Sequence, residues 1–426
     1  MITRIEVRRY RCFEGLEVEP GPYNVLAGAN GSGKTTLLDV PILLGDLLNA
    51  RVVSTAFLES HRSGAPPRAH TLREIVHRDE GDEFALAIEA RLPNQVIETL
   101  LESSTDSVRN DPARWPSRVR YEVGFRIYGA VDLQVAREVL WLVPAESQRP
   151  GWSAELEGEV PEPRVGQRIL HRSGGELAEV RIETEPGSRP QSSHIPPTQL
   201  ALANVPYDAR RYPATVWLQD LLRQECVFYR PDWRQLKQAA PPGLPRKVIA
   251  NGANLPWLAL ELAKEDPKRF GGWVDHVREA LLNVTSLRIR EREEDHHAYF
   301  EVGYGNGFRV TSSGLSEGTL RILALTLLPY LHRVPWILVL EEPETAIHPR
   351  GLENVLQSLQ SLYDTQVWVA SQSSQVLAHT RPDQLLCFQL DDEGRSTVVS
   401  GNRHPRLQDW QKGLDLGSLF AAGVLD

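Results

Sequence analysis

Lysine is scarce in this chain. Only Lys34, Lys237, Lys247, Lys264, Lys268 and Lys412 occur among 426 residues, and arginine supplies the rest of the 47 basic side chains. A lysine at a motif position therefore carries more information here than in an average protein. Cysteine is scarcer still. Cys12, Cys226 and Cys387 lie far apart with no CxxC pair, which excludes a zinc ribbon or a disulfide framework. No apolar run approaches the roughly 18 residues of a membrane span. The opening Met1-Ile2-Thr3-Arg4-Ile5-Glu6-Val7 alternates like a strand and lacks the apolar block of a signal peptide, so the cytoplasm is the expected compartment, with no membrane partner. Acids outnumber bases, 56 to 47, giving a net charge of −9. That excludes a protein that coats nucleic acid non-specifically, which must neutralise phosphates, but leaves room for a local basic groove. Neither an internal repeat nor a long heptad segment is present, so a coiled-coil arm is not expected.

What is present is an ordinary globular composition, 41% hydrophobic and 24% charged, in a chain long enough for more than one structural unit. Strands are expected at Ile2–Tyr10, Leu16–Glu19 and Tyr23–Ala27, followed by a helix over Thr35–Leu48 with Pro41 as a point of bending. Further strands are expected at Glu83–Leu92, Arg118–Tyr128 and Leu133–Val143, with a hairpin over Arg168–Glu183 turning at Ser173-Gly174-Gly175. The Pro-, Gly- and Ser-rich stretches Ser60–Arg68, Glu146–Arg164 and Pro186–Pro197 read as loops. From Ala214 the pattern turns helical, through Leu218–Arg223, Leu255–Lys264 and Phe270–Leu282. A β pair follows at Ser286–Arg292 and Ala298–Tyr304. The last third alternates helix (Glu317–Leu331, Arg350–Tyr363) with strand (Trp336–Leu340, Gln366–Ala370), before a strand pair at Leu385–Gln389 and Ser396–Ser400. Such alternation with near-continuous apolar strands points to an α/β fold around a mostly parallel central sheet. Residues 1–50 and 240–426 then form one core carrying an N-terminal antiparallel β subdomain, and 51–239 is a β-rich insertion.

Three stretches carry chemistry. Gly28-Ala29-Asn30-Gly31-Ser32-Gly33-Lys34-Thr35 fits G-x-x-x-x-G-K-[ST] and sits between a strand and a helix, where a phosphate cradle must sit. Its backbone N–H groups and the helix N-terminus face phosphate oxygens, with Thr36 also in the first helical turn. Lys34 reaches the β and γ phosphates of ATP, and the Thr35 hydroxyl ligates Mg²⁺. Second, Trp336-Ile337-Leu338-Val339-Leu340 is an apolar strand ending in Glu341-Glu342-Pro343. It delivers two carboxylates to the sheet edge where ligands of open α/β sheets gather. Glu341 holds the Mg²⁺ shell, and Glu342 polarises the attacking water. Third, Leu315-Ser316-Glu317-Gly318-Thr319 starts a helix just upstream of that strand. Alone it is an N-cap.

Taken in order, these elements resemble the ABC-type ATPase heads of the SMC, RecF and OLD proteins. Nearer still are stand-alone bacterial ATPases of AAA type with L-S-[DE]-G-T-L-R, E-E-P-E-x-x-[IL]-H-P and a late x-H-S switch, here Leu315–Arg321, Glu341–Pro349 and Ser371–Ser373. Tyr10-Arg11-Cys12-Phe13 is similar to the group's N-F-[KR]-x-F opening, and Asn251–Pro256 to a segment upstream of the signature. The resemblance covers about 1–50 and 245–400 and implies a P-loop fold of ABC-head type. It also implies a homodimer with two composite sites, each pairing one P-loop with Ser316 and Gly318 of the other chain, and Glu344–His348 along the seam. The switch histidine is replaced by Gln372, which can donate a hydrogen bond to a γ-phosphate but cannot shuttle a proton, so slow ATPase turnover is expected. The short segment after Gln372 leaves no room for the TOPRIM nuclease domain of OLD proteins, so a separate effector, a nuclease or toxin, is the expected partner. The functions consistent with this are a sensor or regulator in anti-phage or mobile-element defence, a RecF-like DNA maintenance ATPase, or a nucleotide-dependent scaffold. The pair His296–His297 reads as a solvated acidic turn.

Overall fold

The computed structural model describes residues 1–60, 66–145, 166–185, 187–305, 307–391, 393–408 and 415–422. The loop expected over Glu146–Arg164, and part of that over Ser60–Arg68, lie outside the described residues. Two compact units are formed. One comprises Met1–Gly21, Gly31–Cys226 and Leu390–Val398; the other Pro22–Asn30, Val227–Gln389 and Val399–Asp426. The chain thus passes from one unit to the other inside the glycine loop.

The first unit is built on an eight-stranded antiparallel sheet. In spatial order its strands are Phe13–Val18, Ile2–Tyr10, Glu83–Arg91, Pro116–Tyr128, Asp132–Pro144, Gln167–Ser173, Leu177–Val180 and Gln191–His194. The strands of the middle block continue the N-terminal hairpin, through Ile5 against Ile88 and Leu86 against Val123. Gln191–His194 lies in a stretch read as loop. It is exposed throughout and joins the sheet edge by main-chain pairing alone, with no apolar alternation to announce it. The glycine-loop helix, Lys34–Asn49, buries Leu37, Leu38, Leu44, Leu47 and Leu48. Tyr10, Phe57, Phe84 and Phe125 form an aromatic cluster, Phe84 stacking on Phe125 at 4.9 Å.

Charged side chains are also buried in this unit, and each has a partner. Arg120, fully buried, donates to both oxygens of Glu6 at 3.0 and 2.8 Å and to Glu122 at 2.6 Å. Glu138 accepts the main-chain N–H of Ala201 and Leu202, at 2.6 and 2.7 Å, and the hydroxyl of Tyr121. Glu183 does the same for the helix Pro213–Asp220, accepting from Ala214 and Thr215 N–H at 2.7 and 2.9 Å and from the Thr215 hydroxyl. Glu138 from a strand and Glu183 from a turn thus cap helix N-termini, supplying acceptors to amides that no helix can satisfy internally. Where one helix was expected through Arg223, the α-helix ends at Asp220 and a π turn runs over Leu221–Glu225.

A six-stranded sheet, most of its residues in the second unit, has the order Cys226–Phe228, Ile337–Glu341, Gln366–Ala370, Tyr23–Gly28, Leu385–Leu390, Ser396–Ser400. The pairings from Ile337–Glu341 to Leu385–Leu390 are parallel. One core packs this sheet against the helices Leu255–Glu265, Pro267–Ala280, Glu317–Leu327 and Pro349–Gln360. A three-stranded antiparallel sheet, Val284–Glu291, Ala298–Tyr304 and Arg309–Thr311, completes it. The helix expected to reach Leu331 stops at Leu327 and tightens into a 3-10 turn, Leu328–Tyr330, because Pro329 has no N–H to continue the ladder.

Candidate nucleotide site

Parallel register decides what meets at the sheet edge of the second unit. Glu341 pairs with Ala370, and Ala370 with Leu26, which in turn faces Leu386. The strands Ile337–Glu341 and Gln366–Ala370 therefore end level, and Tyr23–Gly28 runs two residues beyond them. The first releases Glu341 and Glu342, the second Ser371 and Gln372, the third Gly28, Ala29 and Asn30. Gln372 donates from its side-chain amide to the Asn30 carbonyl oxygen, so the residue in the switch position rests on the glycine loop. Ser371 donates to Glu344 at 2.5 Å, and burial holds the Glu344 carboxyl above its ordinary pKa despite that bond.

Glu342 leaves the strand in a strained way. Its N–H still donates to the Ala370 carbonyl at 2.8 Å, but its φ is 44°, a left-handed conformation that a side-chain-bearing residue rarely takes. The turn leaves Glu342 exposed, whereas Glu341 remains half-buried at the strand end. Glu341 forms an ion pair with Arg230, whose guanidinium lies 3.9 Å from the centroid of the Phe228 ring.

The helix beginning at Glu317 is capped by Ser316, whose Oγ accepts from Thr319 N–H at 3.1 Å while Ser316 itself stays exposed. Gly318 lies tight against the Ala346 carbonyl, and any Cβ there would overlap that oxygen. Arg321, 4.3 Å from the Trp233 ring centroid, pairs with Glu317 and donates to the Glu342 main-chain carbonyl at 3.4 Å. In this chain, then, the signature glycine has a packing reason of its own. His348 caps the helix Pro349–Gln360 through Nδ1 and keeps an exposed ring.

The remainder of the glycine loop belongs to the first unit. Gly33 caps the helix at φ 97°, and a Cβ there would stand 2.6 Å from the Phe13 ring and 2.7 Å from Cys12 Sγ. Hence the Arg11-Cys12-Phe13 turn packs on the loop. Ser32 is buried and 3.5 Å from Lys34 Nζ, Lys34 is largely buried, Gly31 and Thr35 are exposed and Thr36 is half-buried. No acid occupies the helix's first turn, which leaves the positive end of its dipole uncompensated by side chains. Thr35 in the first unit and Glu341 in the second each carry a hard oxygen donor of the kind Mg²⁺ takes. Sequence reasoning missed Arg230 and Arg321. Each lies on an aromatic ring, and the run Val227-Phe228-Tyr229-Arg230-Pro231-Asp232-Trp233 was the available signal. His296 and His297 pair with Glu291 and Asp295 in the expected acidic turn.

The described family "AAA domain, putative AbiEii toxin, Type IV TA system" matches residues 226–378, which contain Ser316, Gly318, Glu341, Glu342 and Gln372. An SMC head bound to the C-winged helix domain of ScpA superposes with a TM-score of 0.51 at 13% identity, covering 93% of this chain and 97% of that one. Residues 226–378 thus match an AAA-type domain family, and the chain shares the fold of an SMC head. It is also similar to the DNA replication and repair protein RecF of Thermomicrobium roseum, 29% identical over 148 residues, 34% of this chain and 33% of the relative. To the OLD nuclease of Thermus scotoductus it is 40% identical over 48 residues, 11% of this chain and 9% of the relative. The matches thus span a third or less of these curated relatives. Among the described residues, no helix is long and apolar enough to cross a membrane.

Proposed function

We propose that this ATPase is a slow, ATP-gated dimeric switch that regulates a separate effector, a nuclease or toxin, in bacterial defence against phage or mobile elements. The observation carrying the reading is the parallel register of three neighbouring strands, which brings Glu341, Glu342, Gln372 and the start of the glycine loop to one sheet edge. In this reading Lys34 would neutralise the triphosphate, Thr35 and Glu341 would hold Mg²⁺, and Glu342 would orient and deprotonate the attacking water. Mg²⁺, when bound, supplies charge neutralisation on the phosphate oxygens. Gln372, whose side-chain amide already donates a hydrogen bond to Asn30 Oδ1, can donate to the γ-phosphate but moves no proton, which favours a long-lived ATP state. Ser316, a helix cap yet exposed, is available to a second copy's nucleotide. The toxin-related description of the matching family supports the defence role.

The test is the Glu342→Gln variant with ATP and Mg²⁺, sized by light scattering. A stable dimer that dissociates in ADP is expected; a monomer at all ATP concentrations would remove the composite site. The RecF similarity favours a second reading, a DNA maintenance ATPase. Salt-dependent DNA binding by the isolated protein would favour that reading over the first.

A further inference from the structure

We infer that Arg230 is a positioning residue for the metal site, an internal counter-ion that Mg²⁺ must displace from Glu341. The inference rests on the reading of Glu341 as a Mg²⁺ ligand. Arg230 lies two residues beyond the end of the edge strand Cys226–Phe228, which neighbours Ile337–Glu341, and its backbone is held from two sides. The neighbouring Tyr229 N–H donates to Val339 at 2.8 Å, and Arg230 N–H donates to Ala250 at 2.8 Å. The side chain is then fixed by its ring partner. Phe228 lies under the guanidinium at 3.9 Å, a cation–π contact that restricts where the charge can go. From that platform the guanidinium meets the Glu341 carboxylate.

Two consequences follow from charge alone. Without a divalent ion, Arg230 offsets the Glu341 charge and limits its repulsion of an incoming triphosphate. With a divalent ion, guanidinium and Mg²⁺ compete for the same carboxylate, so Arg230 raises the Mg²⁺ concentration at which the site fills. Glutamate, one methylene longer than aspartate, has the reach to turn from one cation to the other. Because the Arg230 side chain is 49% exposed and Glu341 23%, solvent screens the pair and the effect is modest, about two- to five-fold.

The experiment uses the full chain and a fluorescent ATP analogue, with binding measured in EDTA and along a Mg²⁺ titration, for wild type, Arg230→Gln, Arg230→Lys and Glu341→Gln. Arg230→Gln is expected to weaken analogue binding in EDTA about two- to five-fold and to lower the Mg²⁺ midpoint by a similar factor. Arg230→Lys keeps the charge and returns both values towards wild type. Thermal melts establish that each variant is folded. If Glu341→Gln shifts the midpoint and Arg230→Gln moves neither value, the counter-ion role is refuted while the metal reading stands. If Glu341→Gln leaves the midpoint unchanged, Glu341 is no metal ligand and both readings fall.

Discussion

Ser316 offers the sharpest separation of a structural role from a functional one, because its Oγ already has a task inside the chain. It accepts the Thr319 N–H at 3.1 Å and so caps the helix Glu317–Leu327. Replacing such a cap by alanine costs about 1 kcal/mol, in a range of roughly 0.5–2. For a chain of this size that lowers the melting temperature by about 1–2 °C. Ser316→Asp keeps an acceptor in the same place and adds a negative charge at a helix N-terminus, worth about 0.3–1 kcal/mol of stabilisation. Its melting temperature should therefore equal or exceed wild type. Assembly should respond in the opposite sense. If Ser316 faces the γ-phosphate of a second copy, the alanine variant loses a hydrogen bond to a charged group at each of the two sites, about 1.5–3 kcal/mol or some 10- to 100-fold per site. The aspartate variant places like charges about 4 Å apart at each site, roughly 4 kcal/mol at an effective dielectric near 20 and about 1,000-fold per site. Sedimentation with ATP in a Glu342→Gln background reads the affinity, and scanning fluorimetry reads the stability. An aspartate variant that dimerises as tightly as its parent would show Ser316 to be a helix cap and nothing more.

Gln372→His restores a titratable group at the switch position and should raise steady-state ATP hydrolysis several-fold or more without changing ATP affinity in EDTA; equal rates would place the slow step elsewhere. Glu183 carries a pH signature, since burial raises its pKa to about 7. Between about pH 4.5 and 7 the folded state binds the extra proton, so stability falls as pH rises through that window and is level above it. The loss is about 3 kcal/mol, from roughly 1.4 kcal/mol per pH unit. Urea unfolding from pH 5 to 8 should be steeper in wild type than in Glu183→Gln, and equal slopes would contradict the assignment.

The glycine loop and its helix were legible because their signal is local: one octapeptide, flanked by an apolar strand and an amphipathic run. The acidic strand was legible for the same reason. What escaped was non-local. Nothing in Ile2–Tyr10 announces that it will pair with Glu83–Arg91, or that the middle block will extend the N-terminal hairpin into one sheet. Glu138 and Glu183 look like surface positions of strand-forming stretches, yet each caps a helix far along the chain. Arg120 and Glu6, 114 residues apart, satisfy one another in the interior, a pairing invisible to any window. Arg230 escaped because ion pairing across neighbouring strands leaves no periodicity. Boundaries moved where the backbone ran out of donors, as at Pro329, or where a helix widened by one residue, as at Leu221–Glu225.

The left-handed backbone at Glu342 bears on how any substitution there should be interpreted. A glycine at that point would relieve about 1–2 kcal/mol of conformational cost, and asparagine part of it. Glutamine inherits the full cost. Glu342→Gln and Glu342→Gly, both chemically silent, should therefore differ in melting temperature, and the difference measures how much ground-state stability the fold forgoes to aim a carboxylate. On the proposed reading of Glu342 as general base, resistance to heat and competence to turn over are in opposition at this residue, and screens for thermal tolerance alone should converge on inactive glycine variants.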